Sequence, residues 1–113
     1  MTDATLLRAT RHNNWANQEL LAFCAKMPPA QLEWTTAGVY GTIHATLQHI
    51  LGAESGYLHS LTGGELPPGR RLPEALVPLE QLAALAKSSA ERIEKVIANE
   101  KDPDRKITRR SGA

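Results

Sequence analysis

Three stretches of about twenty residues carry apolar side chains at helical spacing, and the Pro- and Gly-rich segments between them stop any two from merging. The middle one, GTIHATLQHILGAESGYLHSLT from Gly41 to Thr62, constrains the fold most. At about 100° per residue, Ile43, Leu47, Ile50, Tyr57, Leu58 and Leu61 fall on one stripe, the spacing of a helix that buries a face. Thr42 suits the N-cap, and Gly63-Gly64 stop the helix. Packing alone does not account for Glu54, which sits inside that stripe, or for His49, which flanks it among the small residues Ala45, Thr46, Gly52, Ala53 and Gly56.

The other two stretches follow the same logic. A first helix is expected from a cap at Asp3 to about Met27, where Pro28-Pro29 ends it. Its stripe collects Leu6, Thr10, Asn13, Asn17, Leu20, Cys24 and Met27, so two amides ride on the face suited to a core, and each needs a partner there. Trp15, on the opposite face with Arg8, Arg11 and Lys26, wants a cover. Within PPAQLEWTTAGVYG, residues 28–41, AQLEW can make one helical turn, with Leu32 and Trp34 over the helix ends and Trp15 as a candidate neighbour. A third helix runs from about Pro78 to Asn99, with Leu79, Leu82, Ala83, Ala86, Ala90, Ile93 and Ile97 inside. The connection between the second and third helices, residues 63–77, is long enough to cross from one end of a bundle to the other.

The fold expected is all-α, an up-down helix bundle with one long crossover. Such a bundle normally has four helices, so three striped ones leave an apolar groove that either a second copy of the chain or a further helix must cover.

Composition limits what the bundle can do. A net charge of +1 with 22% charged residues gives no bulk attraction to a polyanion. Cys24, the one cysteine, excludes an internal disulfide and fits a reducing compartment; on an apolar stripe it reads as an inert core thiol. The start, MTDATLLRATRHNN, lacks the basic and apolar regions of a signal peptide, and no apolar run approaches the ~20 residues of a membrane span. The expectation is one cytoplasmic domain over residues 1–113, with neither nucleic acid nor membrane as partner. Arg105, Lys106, Arg109 and Arg110 read as a solvated tail, since no aromatic residue interleaves with them and Asp102 and Asp104 dilute their charge.

NNWAN at Asn13 to Asn17, ELLAFCAKMPPAQLEW after it, and GTIHATLQHILGAESGYLHSLTG resemble the N-terminal part of the DinB/YfiT-like superfamily of small metal-binding four-helix bundles. The most specific piece is TLQHILGAE, Thr46 to Glu54. The resemblance implies that His49 is the first of three histidine ligands to a divalent metal, nickel or zinc, the other two coming from an H-x-x-x-H pair on a fourth helix. It also implies a homodimer, a small-molecule substrate, and, for some members, transfer or isomerisation chemistry that uses a low-molecular-weight thiol. The sequence reaches Ala113 before any fourth helix or H-x-x-x-H pair, so it reads as cut short at the C-terminal side and its metal site as incomplete. His12 stands where the family has a tyrosine. The alternative is a non-catalytic helical interaction module without metal.

Beside His49, Glu54 is a candidate acceptor behind the metal ligand or a general base; its structural reading is a hydrogen bond to Asn13, Asn17 or backbone. Asn13 and Asn17 read as polar links between the first two helices more than as substrate ligands. His44 lies about 140° round the helix from His49 and His59 about 80° round on the other side, so both are expected at the surface.

Overall fold

A computed structural model describes residues 4–39, 41–63 and 75–107. Three long helices make up most of it: α1 (Ala4–Ala25), α2 (Ile43–Thr62) and α3 (Leu79–Ala98), with a short 3-10 turn at Pro29–Glu33 between the first two. All-α architecture, the three helix spans and the single turn at AQLE agree with the sequence expectations. The Asp3 cap, most of the 63–77 connection, Arg109 and Arg110 lie outside the described residues.

Helix α2 is bounded as its ends dictate. Thr42, in an extended conformation, accepts a hydrogen bond on its hydroxyl from the Ala45 amide at 3.0 Å, and Gly63 closes the helix in the left-handed region, φ 67°, where a side chain would be strained. Pro78 is the cap of α3 instead of its first residue; having no N–H to leave unpaired, it costs nothing there.

Helix α3 packs closely on both α1 and α2, whereas the backbones of α1 and α2 approach each other less closely. Side-chain pairings give the directions. Asn14 of α1 meets Ala90 and Glu94 near the end of α3, and the start of α1 lies beside Ile93 and Ile97, so these two helices are antiparallel. Leu6 and Thr10 share a groove with Tyr57 and Leu61, so α1 and α2 are antiparallel too. Helices α2 and α3 are therefore parallel, and the chain from Gly63 to Ala75 must join opposite ends of the bundle; residues 64–74 can span about 40 Å when extended, enough for a helix of this length.

The core sits at the α3 side. Leu21, Cys24, Leu47, Leu51, Val77, Leu82 and Ala86 form one buried cluster, with Met27, Leu32, Ile43 and Ile50 packed against it. Leu58, Ala90 and Ile97 are buried further along. Two pairs of groups fasten the end of the crossover to α2. His44 Nε2 donates to the Val77 carbonyl at 2.6 Å, and Gln48, one turn on, donates to the Ala75 carbonyl at 2.9 Å and accepts from the Val77 amide at 2.8 Å. The half-buried His44 is thus a structural tie and not a surface residue. His59, also expected outside, is half-buried, with Nδ1 enclosed and no hydrogen-bond partner on that atom. Trp15 and Trp34 remain largely exposed; the partner beside Trp15 is His12, with ring centroids 5.7 Å apart. Ala83, placed inside on the α3 stripe, is exposed.

Candidate functional site

The open side of the bundle is the seam between α1 and α2. Two cavities lie along it. One, about 430 Å³, is bounded by Leu20, Cys24, Trp34, Ile43, Leu47 and Ile50; the other, about 660 Å³, by Leu6, Thr10, Asn13, Ile50, Glu54, Tyr57 and Leu61 among others. The stripes read from the sequence on α1 and α2 are the faces that line this groove. Each of these helices buries a second, adjacent face: Asn14 and Leu21 on α1, the former bonded to Ala90 and Glu94 of α3, and Gln48, Leu51 and Ser55 on α2.

Glu54 stands in the middle of the groove wall, half-buried. Asn13 Nδ2 and Asn17 Nδ2, from the facing helix, both donate to its Oε1, at 2.7 and 2.6 Å. Residues 13 and 17 are one turn apart, so a single carboxylate oxygen can meet both amides. This is the polar link between the first two helices, and it holds α1 and α2 at the separation that leaves the groove open.

The sequence reading missed a second polar seam. Asn14, one residue beyond Asn13, is the buried one: its Nδ2 donates to Glu94 Oε2 at 3.1 Å and to the Ala90 carbonyl at 3.4 Å. Glu94 Oε1 takes Arg11 Nε at 3.2 Å. The Asn13-Asn14 doublet was the available signal, since two successive amides on a helix point about 100° apart and serve two different neighbours. Arg105 is likewise not free in solvent; it pairs with Glu100 at 2.6 Å and donates to the Leu61 carbonyl at 2.8 Å, tying the chain after α3 to the end of α2.

His49 is exposed. Its neighbours at one helical turn, Thr46 and Ala53, line the two cavities. Cys24 is buried, a free thiol in the groove wall, and burial raises its pKa.

A model of the DinB family matches residues 1–113. The chain belongs to the DinB family. No curated protein and no solved structure matches it. Membership bears out the resemblance read from TLQHILGAE and its neighbours, and the metal it implies can be tested against the DinB residues in place. Among the described residues, no three His, Cys, Asp or Glu side chains come together as a metal-holding group. His44, tied to Val77, and His59, on the other flank, do not join His49. The described residues thus supply one candidate ligand and fall short of the three that a stable zinc or nickel centre needs. No described helix is long and apolar enough to cross a membrane.

Proposed function

We propose that this DinB chain is the helical scaffold of a divalent-metal site in which His49 is one ligand, the rest being brought by a helix seated in the α1–α2 groove. What supports it is that His49 lies one helical turn from Thr46 and Ala53, which line a largely apolar groove between the two helices. A nickel or zinc ion held there supplies Lewis-acid activation of a thiol or a water. In this reading the protein works as a cytoplasmic homodimer on a small-molecule substrate, in transfer or isomerisation chemistry with a low-molecular-weight thiol. Its own residues shape the site: Asn13, Asn17 and Glu54 set the width of the groove, and the apolar walls exclude water once it is covered.

Titration with Ni²⁺ and Zn²⁺ tests the proposal. Loss of outer partners of a metal ligand already costs about 10–100-fold in affinity, so His49→Ala should weaken binding by at least about tenfold. Equal affinity in wild type and variant refutes it.

A second reading, a helical interaction module without metal, is favoured by the large hydrophobic residues partly exposed along the groove: Leu6 at 38%, Leu20 at 43% and Tyr57 at 54% exposure. It predicts helix binding with no dependence on His49 or on metal.

A further inference from the structure

The two cavities meet at Ile50 and together run along α1 from Leu6 to Cys24 and along α2 from Ile43 to Leu61. At about 1.5 Å per residue either run is about 27 Å, the length of a helix and not of a compact metabolite. Among the described residues that line them, Glu54 is the one charged side chain. Its Oε1 already accepts two amide N–H groups, which uses both lone pairs of that oxygen. Its Oε2 accepts none from the described residues.

Covering the groove strips water from Oε2. An apolar side chain set against it leaves the acceptor dry, and a carboxylate repels it. An ammonium or guanidinium group answers both the charge and the open acceptor. Among the described residues, Arg11 is engaged with Glu94 on the α3 side and Arg105 with Glu100 and the Leu61 carbonyl.

Resting on the reading that a helix fills the groove, we propose that the occupant is an amphipathic helix bearing a lysine or arginine at the level of Glu54, which donates end-on to Oε2. Because Oε1 is taken, a bidentate fork has no second acceptor, so lysine serves as well as arginine. A single ion pair in an otherwise apolar seam also sets the register of the incoming helix, as an isolated polar contact does in a coiled coil.

The test uses three helical peptides as long as the groove, with one Leu/Ala face and differing only at the centre of that face: lysine, norleucine or glutamate. Binding to the whole chain is followed by fluorescence anisotropy in EDTA, so that metal plays no part. The lysine peptide should bind roughly tenfold tighter than the norleucine peptide, with the glutamate peptide weakest. That order should collapse in Glu54→Gln, whose side-chain carbonyl can still take the Asn13 and Asn17 amides and whose fold is checked by circular dichroism. Equal binding of the lysine and norleucine peptides to wild type, or a lysine preference that survives Glu54→Gln, overturns the inference and leaves the groove-filling reading standing. Failure of all three to bind, with or without a dimer of the chain occluding the groove, overturns both.

Discussion

Replacing Gln48 with leucine keeps the side chain near its size but removes both ends of the amide that grips the crossover. The donor end meets Ala75 O and the acceptor end meets Val77 N. Ala75 is exposed, so its carbonyl turns to water and the loss is that of an ordinary hydrogen bond, about 0.5–1.5 kcal/mol. Val77 is buried, and its stranded N–H costs about 1–3 kcal/mol. The added apolar surface of leucine offsets about 1 kcal/mol. The net loss expected is about 0.5–3.5 kcal/mol, read as a lower urea midpoint at unchanged slope, with faster hydrogen exchange at the Val77 amide. Gln48→Glu separates the two bonds: its carboxylate still accepts from Val77 N but faces Ala75 O without a proton. Burial and the facing carbonyl raise the pKa of such a carboxyl above its ordinary range, and once protonated it can donate again, so this variant should sit closer to wild type in acid than at neutral pH. A Gln48→Leu protein within 0.5 kcal/mol of wild type, with Val77 exchange unaltered, would refute the reasoning about a buried amide that has nowhere else to turn.

Leu82, fully buried between α3 and its neighbours, should cost about 2–5 kcal/mol when cut to alanine, measured by urea unfolding; a smaller loss would mean that the site collapses around the gap. Thr42→Ala should lose about 1 kcal/mol through the unpaired Ala45 amide, and Thr42→Gly less, in thermal melts. Burial raises the Cys24 pKa, so iodoacetamide should modify the native thiol much more slowly than the urea-unfolded one. The sign of the linkage follows: below the ordinary thiol range both states hold the proton and pH has no effect through this group. As pH climbs from that range towards the raised native value, the unfolded chain ionises first and stability falls, a slope that Cys24→Ala should remove.

The elements were legible because their punctuation is local. Thr42, Gly63, Pro28 and Pro78 act on the turn they adjoin, and the helices end where these residues require. Burial was legible by halves. On α2 a stripe drawn through Ile43, Leu47, Ile50 and Leu61 passes over Leu51, one of the most buried side chains, and over Gln48 and Ser55 beside it. A bundle helix touches two neighbours on adjacent faces, so its apolar arc is wider than one stripe, and here Gln48 and Ser55 interrupt the apolar pattern of the second face. What Gln48 and His44 hold is the backbone of residues 75–77, some thirty positions on, and nothing in local spacing announces a side chain to backbone bond at that range.

The Asn13, Asn17 and Glu54 link shows why the stripes pointed to the groove. A stripe on an ordinary surface helix marks its deepest contact. Here the stripes of α1 and α2 face one another, yet the helices do not close on each other, and apolar side chains stand in water along both walls. Two leucines in place of the asparagines would invite that closure, since the buried apolar area would outweigh any residual gap. The amides and the carboxylate oppose it, because their bonds at 2.6–2.7 Å set a separation that direct packing of α1 on α2 would crush. The polar trio is thus better explained as a spacer than as a defect in a core: it keeps the groove between α1 and α2 open. Asn13→Leu with Asn17→Leu should accordingly draw α1 onto α2 and shrink the groove, instead of merely weakening the fold.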